Sequence, residues 1–148
     1  MRYGCLSLVG VEATAPRDLA TQRFAVGRLA AVDVCLLISH SGATRPLLQL
    51  AGAAAAQATT IGLTSLAGSP LATVVAIPLI AGAMGTGFPL EAMASRVAHQ
   101  IVIDALYIAV AERTRPRSTR ALDLAAAITA GATPETPHDH LHLAECEQ

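Results

Sequence analysis

Short apolar runs alternate along this chain with longer stretches of helical character. Val32 to Ile38 reads Val-Asp-Val-Cys-Leu-Leu-Ile, which predicts a buried strand. Arg45 to Ala58 is rich in Leu, Ala and Gln and predicts a helix. Thr59 to Thr64 is β-branched again and predicts a second strand. Gly68 and Pro70 mark Ser65 to Pro70 as a loop, and Val74 to Ile80 predicts a third strand. Gly82 to Pro89 is a Gly-rich connection. Leu90 to Arg113 follows as a long helix with no Gly or Pro inside. Its polar residues Glu91, Ser95 and His99 recur at every fourth position, on one side. The rest of its circumference is mostly apolar, which predicts burial in the domain or in a subunit contact. Arg115-Pro116-Arg117-Ser118 predicts a break, and Thr119 to Ala130 a further helix that stops at Gly131. Ahead of the first strand the pattern is weaker. Leu6 to Val11 is compatible with a strand and Arg17 to Ala30 with a helix.

Strands alternating with helices at this spacing predict a parallel α/β sheet with right-handed crossovers. No charged side chain lies between Arg45 and Glu91, which raises the question of a membrane span. Gln49, Gln57, Thr59, Thr60, Thr64, Ser65, Ser69 and Thr73 interrupt that stretch, and Gly and Pro divide it further. The pattern fits strands buried on both faces, which read as continuous apolar runs, so no membrane contact is expected. The length of 148 residues fits one domain, and 53% apolar residues suffice for its core. We expect residues 1–131 to form that domain. Residues 132–148, polar and carrying Pro134 and Pro137, are expected to form a flexible tail. The net charge is −1, which gives no overall basic face for nucleic acid. Cys5, Cys35 and Cys146 are odd in number and widely spaced, so neither a disulfide framework nor a zinc ribbon is indicated. A reduced cytoplasm is the expected compartment.

The segment with the most chemistry is Ser39-His40-Ser41-Gly42-Ala43-Thr44, between the first strand and its helix. A helix N-terminus offers unpaired N–H groups and partial positive charge, and so receives anions. Gly42 allows close backbone approach. Ser39, Ser41 and Thr44 bring hydroxyls able to donate to phosphate oxygens, and Arg45 adds charge at the rim. In open parallel sheets, ligands sit beyond the carboxyl ends of the strands, where this loop falls. Ser and Thr are equally at home as simple helix caps.

Asp33 to Thr44 resembles the central strand and phosphate loop of sugar-isomerase (SIS) domains, with their S-x-S-G-x-T pattern. Thr60-Ile61-Gly62-Leu63-Thr64-Ser65 resembles the next strand, and Ser69-Pro70-Leu71-Ala72 the short helix that follows. Glu91 to Leu106, with its Ser-Arg-hydrophobic-Ala and Asp-Ala-Leu elements, is similar to the last main helix of RpiR-type transcriptional regulators. The resemblance spans residues 30 to 130. It implies a three-layer parallel sheet flanked by helices, flavodoxin-like and incomplete at its N-terminal side. It implies a phosphosugar ligand held by Ser39, Ser41, Gly42 and Thr44, and a homodimer. It implies effector sensing for a regulator, with DNA reached only through a helix-turn-helix domain absent from this chain. No cofactor is implied.

A phosphosugar isomerase is the alternative. It needs a general base, and Glu91 is the candidate, although a carboxylate also simply favours a helix N-terminus. Ser95 and Arg96 are candidates for ligand or interface contact. His40 and His99 have no carboxylate partner at motif spacing, so structural or surface roles are expected. His138, His140, His142, Glu145 and Cys146 have the composition of a metal cluster, but in a tail, and no metal site is expected. Arg113, Arg115, Arg117 and Arg120 read as a solvated linker. Cys35 reads as inert packing.

Overall fold

The computed structural model describes residues 9–82 and 91–131, with side chains for all of these except 91 and 92. The elements run α1 (Leu19–Gly27), β1 (Val34–Ser39), α2 (Arg45–Ala55), β2 (Thr59–Thr64), α3 (Pro70–Val74), β3 (Ile77–Ile80), α4 (Glu91–Arg113) and α5 (Arg115–Gly131). The three strands form one sheet in the order β1-β2-β3. Both pairings are parallel, with Leu37 opposite Gly62 and Gly62 opposite Pro78. Parallel neighbours need a crossover, which α2 and α3 supply. The parallel sheet flanked by helices is the fold class expected.

Side chains alternate across a strand, so Cys35 and Leu37 share one face. Val26, Leu37, Leu50, Ala51, Ala54, Leu71 and Val75 form the core there, between the sheet and α1, α2 and α3. Gly62 belongs to the same face. A Cβ on it would come within 2.8 Å of Val75 and 3.2 Å of Leu71, so the missing side chain lets α3 lie close to the middle strand. Leu71 is fully buried, which stabilises by about 1.5–3 kcal/mol. On the opposite face Leu63 is fully buried, whereas Val34, Leu36 and Ile77 are exposed.

Several element boundaries differ from expectation for identifiable reasons. Asp18 caps α1 by accepting from the Thr21 N–H at 2.9 Å, so this helix starts at Leu19. Ser69 caps α3, and Pro70 occupies a first-turn position where its missing N–H costs nothing. Val74 therefore closes a helix instead of opening a strand, and β3 begins at Ile77. Pro116 plays the same role in α5, which starts at Arg115 rather than Thr119. The break falls instead on Thr114, whose hydroxyl donates to the Val110 carbonyl at 2.7 Å. Val9 and Gly10 form a turn where a strand was expected over Leu6 to Val11. Residues 6–8 lie outside the described residues, as does the expected tail.

Helix α4 departs most from its sequence pattern. Its buried residues are the polar ones, Ser95 and His99, while Met93, Val97, Ile101 and Ile108 are exposed. Among the described residues, the apolar side of the long helix is thus left exposed. It touches the rest of the unit through its polar side. Over Met93–Arg113 it is long and apolar enough to cross a membrane by length and composition alone. An apolar side kept for a partner gives the same composition.

Candidate functional site

Strand β1 ends at Ser39 and α2 begins at Arg45, so the predicted loop lies at the carboxyl edge of the sheet. The loop is held by its neighbours. The His40 carbonyl accepts from the Ser65 N–H at 3.1 Å and from the Thr64 hydroxyl at 3.1 Å. The Gly42 carbonyl accepts from the Leu71 N–H at 2.9 Å. Gly42 takes a φ of +60°, the left-handed region that favours glycine. A Cβ there would lie 2.5 Å from the Ser69 Oγ and 2.9 Å from the Thr64 Oγ1. The loop's curvature therefore depends on glycine twice over, through backbone conformation and through space.

The predicted residues come together. The Ser39 hydroxyl accepts from the Gly42 N–H at 3.1 Å, which closes the turn. The Ser41 hydroxyl is 3.4 Å from the Ala43 N–H, and Ser41 is exposed. Thr44 is the N-cap residue of α2, yet its side chain makes no capping hydrogen bond, and Pro46 follows in the first turn. The helix end is left without a side-chain acceptor, next to exposed hydroxyls and an exposed Arg45. This arrangement can receive an anion from solvent.

Behind the loop His40 and His99 meet in a polar cluster around Ser65, a residue the sequence did not single out. The His40 Nδ1 is 2.9 Å from the Ser65 Oγ. The same Oγ is 3.2 Å from the Nε2 of His99 on α4. His99 is only 4% exposed. Burial pushes its imidazole below the ordinary value of 6.5; the Ala81 carbonyl opposes this, and His40 adds to it as a like charge. The Ser95 hydroxyl, one turn earlier on α4, is fully buried with no hydrogen-bond partner among the described residues. Gly82 fits between them: a Cβ on it would sit 2.6 Å from the Ser65 Oγ and 2.9 Å from the Ser95 Oγ.

The other candidates separate from this centre. Arg96 is exposed. Glu91 opens α4, and its side chain lies outside the described residues. The His- and Cys-bearing tail segment also lies outside them. Among the described residues no group of three His, Cys, Asp or Glu side chains is placed to hold a metal ion. Cys35 is half-buried, and burial raises its thiol. A shallow cavity of about 200 Å³ lies between α1 and α2, lined by Arg23, Gln49 and Gln57, and shares no residue with the loop. Thr64, Ser65 and Ser69 are the site residues that sequence reasoning passed over. One signal existed: Thr64 and Ser65 stand at the carboxyl end of a predicted parallel strand, where ligand sites gather.

No family model matches the chain. An uncharacterised helix-turn-helix-type transcriptional regulator of Caldanaerobacter subterraneus is 39% identical over 108 residues, covering 72% of this chain and 38% of that protein. This chain therefore spans well under half the length of that curated relative. Among solved structures, the Vibrio vulnificus NanR protein complexed with ManNAc-6P superposes with a TM-score of 0.74 at 23% identity, over 88% of this chain and 49% of that one. The sugar isomerase domain of an RpiR transcription factor from Sphaerobacter thermophilus gives 0.68 at 22% identity, over 84% and 68%.

Proposed function

We infer the function from family: the chain carries a SIS-type domain of the RpiR regulator family, and we propose that it is the effector-sensing part, binding a phosphosugar. The observation that carries this is the open N-terminus of α2, with no side-chain cap and with Ser41, Thr44 and Arg45 exposed around it. Ser39, Ser41, Gly42 and Thr44 hold the phosphate. The helix end supplies N–H donors and partial positive charge, and the hydroxyls donate to the phosphate oxygens. The solved NanR structure, a complex with ManNAc-6P, supports the ligand class. We assign DNA binding in such a regulator to a helix-turn-helix domain, the type named for the curated relative. The cytoplasm is the compartment that suits such a role.

A homodimer is part of the proposal. The exposed Met93, Val97, Ile101 and Ile108 on α4 support it, because an apolar helix side of that length is costly in water. The isomerase reading has less support. His40 and His99 both contact one serine hydroxyl, and no carboxylate is placed beside them among the described residues.

The test is a thermal-shift titration of the purified chain with ManNAc-6P, other hexose and pentose phosphates, the free sugars and inorganic phosphate. A ligand that binds the folded state raises its apparent stability. A phosphosugar should raise the Tm where the free sugar does not. Ser41→Ala should weaken that ligand by about tenfold, the scale of one hydrogen bond to a charged group. A clean melt that no phosphorylated compound shifts would sink the reading.

A further inference from the structure

Four of the ten basic residues of this chain, Arg113, Arg115, Arg117 and Arg120, fall within eight consecutive positions. Their sequence pattern reads as a solvated linker, but Arg113 ends α4 and the other three stand at the start of α5. All four are exposed. The Ser118 Oγ lies 3.1 Å from the Ala111 carbonyl, seven residues back. Along a straight helix residues seven apart are separated by about 10 Å. The chain therefore bends at Thr114, and the arginines gather at the bend.

This placement is electrostatically unfavourable within the chain. Arg115 and Arg117 lie in the first turn of α5, which carries no acidic residue. Positive charge there opposes the helix macrodipole, whose N-terminal end is itself positive. Residues three apart are neighbours on a helix, so Arg117 and Arg120 also repel each other. Glu112 relieves Arg115 in an exposed pair at 3.1 Å. Among the described residues, Arg113, Arg117 and Arg120 have no carboxylate within ion-pair distance, and Asp123, one turn beyond Arg120, pairs with none of them. Charges set against a local rule without a compensating partner mark functional positions more often than accidents. Arg117 is moreover held in place. Gly10 has a φ of +76°, and a Cβ on it would meet the Arg117 Cγ at 3.0 Å and Cδ at 3.5 Å. The glycine leaves room for the arginine stem, which loses less freedom when its exposed end binds.

We propose that this arginine bend is a contact surface for the phosphate backbone of duplex DNA, adding sequence-independent affinity to the base reading done by other parts of the regulator. A guanidinium fork matches phosphate and carboxylate alike, so the surroundings decide between them. A protein partner needs an apolar centre to its interface. The residues between these arginines are Thr114, Pro116, Ser118 and Thr119, with no large apolar side chain. Single strands are held by bases stacked on aromatic rings, and the segment has no aromatic residue. Duplex backbone needs neither, only cations and polar groups that fix its position. The chain's net charge of −1 does not prevent this, because the contact is local. The surface goes beyond the phosphosugar reading and does not depend on it, since bend and anion loop share no residue.

The experiment is a fluorescence-anisotropy titration of the full chain against a labelled duplex of random sequence, without phosphosugar, between about 50 and 200 mM salt, the range over which phosphate contacts weaken measurably. Each neutralised phosphate contributes about 0.9 to the log–log salt slope. Contacts from Arg113, Arg117 and Arg120 should therefore give a slope of about −2.7 per bound protomer, a loss of about 40-fold in affinity over that range. Arg113→Gln with Arg120→Gln, which leaves the Arg117 stem on Gly10, should bring the slope to about −0.9. Arg23→Gln with Arg28→Gln, two exposed arginines around the end of α1, changes the net charge equally and should leave the slope unchanged. Absence of duplex binding at the lowest salt would overturn the proposal. So would an equal loss of slope in the two double variants, which would assign the effect to net charge. Polyglutamate bound more tightly than the duplex at equal charge concentration would give the surface to an acidic protein instead. A phosphosugar that shifts the melt while no duplex binds would defeat this surface alone and leave the sensing role intact.

Discussion

At Gly42 the backbone turns through a φ of +60° while the Ser69 and Thr64 hydroxyls fill the space a side chain would need. Gly42→Ala adds a methyl group to a strained conformation and to occupied space. The first effect costs about 1–2 kcal/mol and the second about 1–3 kcal/mol, so chemical denaturation should show a loss of about 2–5 kcal/mol. A loss below 1 kcal/mol, roughly the scale of an ordinary surface change, would mean that the loop relaxes easily. His99 gives a pH signature. Its folded-state pKa is depressed by burial, so the unfolded chain binds more protons at this site below about 6.5. The associated stability is whole above that pH and is lost as pH falls toward the depressed value. The Tm should therefore drop between about pH 7 and pH 5 more steeply in wild type than in His99→Gln, which keeps polar groups without titrating. Identical slopes would count against a buried neutral imidazole. The loop residues were legible in the sequence because a local segment carries all of them. Ser65 and His99 were not, because their contacts span 25 and 34 residues and exist only once the sheet is formed.

At the scale of elements, α-helix or β-strand type was readable from hydrophobic period, and boundaries were set by caps. Ser69 with Pro70 and Thr114 with Pro116 moved two of them, each by placing proline where no N–H is needed. The orientation of α4 was not readable. Its pattern showed an apolar majority and a polar stripe, and amphipathicity alone assigns the stripe to water. The stripe turns inward, where the sheet end offers Ser65 as a polar partner to His99. The joint between α4 and α5 makes its own prediction. The buried Ser118 hydroxyl lies 3.3 Å from the Val9 carbonyl and 3.1 Å from the Ala111 carbonyl, tying both helices to the turn at Val9. Ser118→Val removes the donor and leaves these carbonyls without it, so it should cost about 1–2 kcal/mol. Limited proteolysis should then cut near residue 10 sooner than in wild type, and an unchanged rate would show that the turn is held by other contacts.

For the whole molecule, the exposed apolar side of α4 is a demand left unmet among the described residues. Val97→Asp places a charge on that side. Sedimentation should show the wild type as a dimer at micromolar concentrations and the variant as a monomer that still melts cooperatively. A monomeric wild type would remove the dimer from the proposal. The sheet has a second unmet demand. Strand β1 pairs with β2 on one side and, among the described residues, with no strand on the other. Its sequence from Val34 to Ser39 holds no charge, no proline and no glycine. An edge of that kind is a template for another chain's backbone. Kept as a concentrated solution, this polypeptide should age by adding strands at that edge, so its shelf life should depend on protein concentration more than on temperature.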